Sequence, residues 1–133
     1  MNIERIAILG SGSMGGAILA GLLASGFAPE RVSVSTKSEA SAQKHVEQYG
    51  VIAYSLESHA DANRLAVAGA DVVMLAVKPA YIVETLREVA EAINPDALLI
   101  SVAAGITNAS MEAALPASVR VIRSMPNTPA IVG

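Results

Sequence analysis

The sequence predicts a three-layer αβα domain built on an open, doubly wound parallel sheet. Three observations carry that expectation. Strand-like and helix-like stretches alternate along the chain, with no internal repeat and no low-complexity linker. Asp71-Val72-Val73-Met74-Leu75-Ala76-Val77 is an apolar run behind one aspartate, the pattern of a strand buried on both faces. A glycine-rich turn, Gly10-Ser11-Gly12-Ser13-Met14-Gly15, joins the first apolar run, Ile6-Ala7-Ile8-Leu9, to a helix-like segment.

The elements follow in order. Residues 5–9 read as a first strand and 14–25 as a helix, with Gly26 as its C-terminal cap. Arg31-Val32-Ser33-Val34-Ser35 alternates and is β-branched, which marks a second strand. Ser38 is placed to cap a helix over 39–49, which Gly50 ends. A short third strand is expected at 51–54, then a partly helical stretch at 56–68 and the fourth strand at 71–77. Pro79 opens the next helix at a first-turn position, where a missing N–H costs nothing. Ile82, Val83, Leu86, Val89, Ala90 and Ile93 form its buried stripe, and Pro95 stops it. A fifth strand is expected at 97–102, a short helix at 108–115 and a sixth strand at 119–123. Right-handed crossovers then give the strand order 3-2-1-4-5-6, a Rossmann-type sheet with its ligand crevice where the order reverses.

Composition narrows the class. The chain has 133 residues, the length of one ordinary domain, and is 53% hydrophobic but only 3% aromatic. Its core must therefore come from Ala, Val, Ile and Leu. A net charge of -3 without a basic stripe argues against nucleic acid as a partner. With no cysteine there are no disulfides, no thiol catalysis and no cysteine-ligated metal, and no metal site is expected. No basic stretch followed by a long apolar run opens the sequence, and no apolar run is long enough to span a bilayer, so a cytoplasmic protein without a signal peptide is expected.

The glycine turn points to a dinucleotide. Gly10 permits the tight turn, Gly12 lets a pyrophosphate approach the backbone, and Gly15 lets the helix pack close to the strand. The helix N-terminus then offers free N–H groups to the phosphates. The bland alternative is a turn that only packs a helix on a sheet. An NAD site carries Asp or Glu at the end of the second strand, to bind the ribose. Ser35-Thr36-Lys37 stands there instead, and two hydroxyls with an ammonium suit a 2′-phosphate, which favours NADP(H). Glu39 is close enough to be a rival ribose ligand, so NAD(H) stays open.

Several stretches resemble the N-terminal domain of the pyrroline-5-carboxylate reductase family. They are residues 8–15, Ala76-Val77-Lys78-Pro79, residues 101–107 beginning Ser101-Val102-Ala103-Ala104-Gly105, and Arg123-Ser124-Met125-Pro126-Asn127-Thr128-Pro129-Ala130. The last is the most specific, because related β-hydroxyacid and prephenate dehydrogenases share the glycine loop but not Met-Pro-Asn-Thr-Pro. The resemblance implies an NADPH-dependent reduction of 1-pyrroline-5-carboxylate to proline. It places Ser11, Gly12, Ser13 and Met14 at the pyrophosphate, Ser35 and Lys37 near the 2′-phosphate, and Asn63 at the adenosine part. Val77, Lys78 and Pro79, with Ala103, Ala104 and Gly105, would border the ribose and nicotinamide.

The resemblance also implies two parts: residues 1–125 as the cofactor domain, and 126–133 as the start of a connector to a helical dimerisation domain. The chain stops at Gly133, so the expectation is the cofactor-binding portion of a longer homo-oligomeric enzyme. Residues 55–68 look longer than is usual in the family, which leaves the register of Asn63 open. The alternatives are another imine or β-hydroxyacid oxidoreductase, or a nucleotide-binding module without catalysis.

The sequence does not identify catalytic residues. Lys78 and Asn127 are the two candidates, each weighed against a plain role: a solvated lysine before proline, and a stiff connector between Pro126 and Pro129. His45 and His59 are expected in solvent, and Glu84, Glu88 and Glu91 on the wet face of a helix. Asn108-Ala109-Ser110 fits a glycosylation acceptor pattern, with nothing else to suggest secretion.

Overall fold

Alternating apolar residues put two cores on opposite faces of one parallel sheet. The structure is a computed structural model that describes residues 3–10, 13–102 and 108–123. Its strands are β1 (Ile6–Leu9), β2 (Val32–Thr36), β3 (Ile52–Ser55), β4 (Val72–Leu75), β5 (Leu98–Ser101) and β6 (Arg120–Arg123). They lie in the order β3-β2-β1-β4-β5-β6, and every pairing is parallel. The predicted order is therefore the observed one. In β1, Ile6 and Ile8 face one core while Ala7 and Leu9 face the other. β4 does the same with Val72 against Val73 and Leu75.

The helices are α1 (Ser13–Ala24), α2 (Glu39–Tyr49), α3 (Ala62–Val67), α4 (Ile82–Val89) and α5 (Asn108–Ala113). On one face, Leu19 of α1 packs on Ile6, Ile8, Val32 and Val34, and Tyr49 of α2 joins that cluster. On the other, Ala66 and Val67 of α3, Ile82, Leu86 and Val89 of α4, and Met111 of α5 cover Leu9, Leu75 and Leu99. Each such fully buried aliphatic side chain contributes about 1.5–3 kcal/mol relative to exposure.

The local signals act as the sequence suggested. Ser38 caps α2, its hydroxyl accepting from the Ser41 N–H at 3.1 Å. Gly50 ends α2 at φ 73°, donating its N–H to the Val46 carbonyl at 2.9 Å.

Three expectations need correction. The helix after Pro79 is shorter than its apolar stripe. It opens as a single 3-10 turn, Pro79–Tyr81, and its α-helical part ends at Val89. Residues 90–92 leave the helix as turns before Pro95 is reached, a residue that has no N–H to donate and could not have continued it. Val83 is only half-buried, while Ile93 still reaches the core. His45 is buried, not solvated: with Ala42 it forms the inward side of α2. Its Nδ1 lies 2.7 Å from the Ser41 carbonyl, and its ring packs 6.0 Å from Tyr49. Glu88 is half-buried rather than on a wet face, and its Oε1 is enclosed without a hydrogen-bond partner among the described residues. The other acids of that helix segment, Glu84 and Glu91, are exposed, as is His59. Elsewhere strand ends move by a residue or two, and the helical part of 56–68 narrows to α3.

Candidate functional site

The sheet order reverses between β1 and β4, and the chain turns sharply at both carboxyl ends. Leaving β1, Gly10 adopts φ 83°. A Cβ there would lie 2.9 Å from Val77 Cγ1 and 3.0 Å from the Val77 nitrogen, so only glycine lets the first turn lie against the end of β4. Gly15 is tighter still: a Cβ would sit 2.1 Å from the Gly10 carbonyl oxygen. α1 thus rests directly on the turn that precedes it. The Ala76 N–H donates to the Leu9 carbonyl at 2.9 Å, which locks the two strand ends together.

A cleft of about 570 Å³ opens at this point, within the size range of small-molecule sites. Eight predicted site residues line it: Gly10, Ser35, Thr36, Lys37, Asn63, Ala76, Val77 and Lys78. They arrive from β1, β2, α3 and β4, far apart in sequence. Asn63 is the second residue of α3 and is buried, with 6% exposure. Lys37 and Lys78 are exposed at the mouth. Pro79 starts the turn beside the cleft without lining it. Ser13 and Met14 lie in the first turn of α1, the element whose N-terminus faces the crevice in this fold. Ser11, Gly12, Ala103, Ala104, Gly105 and Asn127 lie outside the described residues.

Hydrogen-bond accounting separates the roles at the end of β2. Ser35 Oγ accepts from the Gly10 N–H at 3.2 Å and keeps its own proton to donate. Thr36 Oγ1 donates to the Ser38 carbonyl at 2.8 Å, so its proton is committed to the loop. Lys37 brings three N–H donors and full charge. The rival ribose ligand points elsewhere. Glu39 Oε2 accepts from Ser55 Oγ at 2.5 Å and also from Ser58 Oγ, which ties it to the end of β3.

Those two hydroxyls, Ser55 first, lower the Glu39 pKa below its ordinary 4.5. A depressed carboxylate pKa favours the fold above the unfolded-state pKa and loses that contribution as pH falls through the folded one. Glu39→Gln is therefore expected to be less stable than wild type at neutral pH and to converge with it in acid, below the ordinary carboxylate range. Chemical denaturation at a series of pH values checks this, and a gap that persists unchanged in acid contradicts it.

Four cleft residues carry no motif and were missed: Ser41, Leu56, Tyr81 and Thr85. Glu84 and Glu88, read only as a wet helix face, are there too. The 3.6-residue period of α4 gives the only sequence signal for Glu84 and Glu88, since residues four apart share a face. Among the described residues no cluster of His, Cys, Asp or Glu is suited to hold a metal ion, and no helix is long and apolar enough to cross a membrane.

Parallel strand order, glycine turn and switch-point cleft together define a Rossmann-type domain. The chain belongs to the family described as NADP oxidoreductase, coenzyme F420-dependent, whose model matches residues 5–105. It is 37% identical to a pyrroline-5-carboxylate reductase of Corynebacterium melassecola over 98% of this chain and 47% of that protein. A pyrroline-5-carboxylate reductase of Escherichia coli is 38% identical over 97% of this chain and 46% of its own length. Among solved structures, a pyrroline-5-carboxylate reductase from Coxiella burnetii superposes with a TM-score of 0.85 at 35% identity, covering 98% of this chain and 47% of that one. The chain spans about half the length of the curated relatives it matches.

Proposed function

We propose that this chain is the NADP(H)-binding portion of a pyrroline-5-carboxylate reductase, acting in the last step of proline synthesis. The observation that carries the cofactor assignment is Lys37: an ammonium at the end of β2, in the switch-point cleft, where an NAD site would place a carboxylate. The similarity to pyrroline-5-carboxylate reductases over nearly the whole chain supports the substrate class.

The residues present fit the group. Gly10 and Gly15 let the turn and α1 close against the end of β4, where a Cβ would clash, so the fingerprint turn is as tight as this fold's dinucleotide site requires. In this reading the turn of residues 10–15 and the α1 N-terminus hold the pyrophosphate. Lys37, with the Ser35 hydroxyl, meets the 2′-phosphate, and Asn63 offers its amide to the adenosine. Ala76, Val77, Lys78 and Pro79, with Ala103, Ala104 and Gly105, border the ribose and nicotinamide. NADPH, when bound, would supply a hydride to the carbon of the protonated C=N bond of the substrate, whose N–H⁺ would then become the neutral ring N–H of proline. Orientation is then the protein's main task. Lys78, exposed at the cleft, is suited to attract an anionic group, and Asn127 to orient the nicotinamide or substrate.

Residues 1–125 form the cofactor domain and 126–133 begin a connector to a helical domain that dimerises. The setting is cytoplasmic and the partner a small imine carboxylate. The test is NADPH oxidation by the complete gene product on addition of 1-pyrroline-5-carboxylate. Oxidation dependent on that substrate supports the reading. A complete product that binds NADPH but reduces only a β-hydroxyacid's keto partner or another imine replaces the substrate while keeping the cofactor.

A further inference from the structure

Lys37 and Tyr81 approach the cleft from opposite walls. Lys37 follows β2, while Tyr81 closes the 3-10 turn that leads into α4. The Lys37 Nζ stands 5.7 Å from the centroid of the Tyr81 ring, within reach of a cation–π contact. Both side chains line the cleft, and the ring remains 50% exposed. Its backbone is fixed on both sides: the Tyr81 N–H donates to the Lys78 carbonyl at 2.9 Å, and the next residue, Ile82, is fully buried.

Two carboxylates, those of Glu39 and Glu57, are engaged elsewhere. Glu39 is bound by Ser55 and Ser58, and Glu57 Oε1 accepts the Glu39 N–H at 2.8 Å. Glu84 and Glu88 line the same cleft, and neither is ion-paired with Lys37; the described ion pair is Arg64 with Glu91, at 4.0 Å. The ammonium thus has an aromatic face beside it and no carboxylate against it.

Building on the NADP(H) reading above, we propose that Tyr81 is a positioning residue for cofactor specificity: its ring holds the Lys37 ammonium over the cleft without neutralising it. A carboxylate in that place would also hold the ammonium, but it would cancel the charge and repel a phosphate monoester. A ring attracts the cation through its quadrupole and leaves the full positive charge for the phosphate. A lysine side chain is otherwise free in four torsions, and restricting it beforehand reduces the ordering that binding must impose. Tyr81 therefore acts through Lys37 on the 2′-phosphate, the group that NADPH has and NADH lacks.

The test is calorimetric titration of the chain with NADPH and NADH, for wild type, Tyr81→Leu, Tyr81→Phe, Lys37→Ala and the Lys37→Ala/Tyr81→Leu pair. Leucine keeps apolar bulk and removes the quadrupole; phenylalanine keeps the ring. Tyr81→Leu is expected to weaken NADPH by about two- to fivefold and leave NADH unchanged. Tyr81→Phe restores wild-type affinity, and Tyr81→Leu has no further effect once Lys37 is alanine. Equal weakening of both nucleotides would mean that the ring packs on the shared adenosine, and it overturns the proposal. So does an effect that persists without Lys37, a Phe variant that fails to rescue, or a wild-type preference for NADPH that Tyr81→Leu leaves intact. Wild type that binds neither nucleotide overturns the NADP(H) reading and this proposal together, which separates that failure from the others.

Discussion

Gly15→Ala is expected to abolish nucleotide binding and to cost about 1–3 kcal/mol or more of folding stability. The added Cβ would lie 2.1 Å from the Gly10 carbonyl oxygen and 3.0 Å from its carbon. Neither atom belongs to a side chain that can swing away. Gly10 is itself wedged against Val77 and bonded through its N–H to Ser35 Oγ. Relief must come from lifting α1 off the sheet, which breaks the packing of Leu19 against Ile6 and Ile8. The same movement carries the helix N-terminus away from the crevice. Gly16 provides the control one residue on, because a Cβ there meets nothing within 4 Å. Gly16→Ala is expected to stabilise the chain by up to about 1 kcal/mol, the helix preference of alanine over glycine. Thermal melts and NADPH titration of both variants check the pair. Equal, mild effects of the two would show that close packing at Gly15 is not what the turn requires.

Lys37→Ala is expected to weaken NADPH by roughly five- to a hundredfold and leave NADH nearly unchanged. That range corresponds to about 1–3 kcal/mol for a charge-assisted bond between an ammonium and a phosphate. Lys37 is exposed, so the contact is screened, and the NADPH advantage should shrink as salt rises. Titrating both nucleotides at low and high salt reads the effect. Loss of both nucleotides in parallel would place Lys37 on a part of the cofactor they share.

Most of the architecture was legible because it rests on local rules. The wedge of Gly10 and Gly15 follows from missing Cβ atoms, and the caps Ser38 and Gly50 from one hydroxyl and one left-handed φ. The strand order follows from alternation of elements and crossover handedness. What was not legible depends on tertiary placement. His45 sits in a helix with few apolar residues, so nothing in the sequence marked its inward side. The end of α4 was hidden because its apolar stripe continues to Ile93 after the helix has stopped. At the cleft, Gly10, Lys37, Lys78 and even Asn63 came from motifs or resemblance, and the structure gathers them around one opening. Tyr81 did not, because its place opposite Lys37 depends on how the turn after β4 faces the turn after β2. The expected pair of hydroxyls at the 2′-phosphate also needed the structure: Thr36 gives its proton to the Ser38 carbonyl, leaving Ser35 and Lys37 as donors.

Calorimetric titration of the wild-type chain with NADPH and with NADH, at one stated salt concentration, tests the central claim most directly. Tighter binding of NADPH is the predicted result, and it would assign the cleft to NADP(H) through Lys37. Equal affinities, tighter NADH, or a folded chain that binds neither would contradict it.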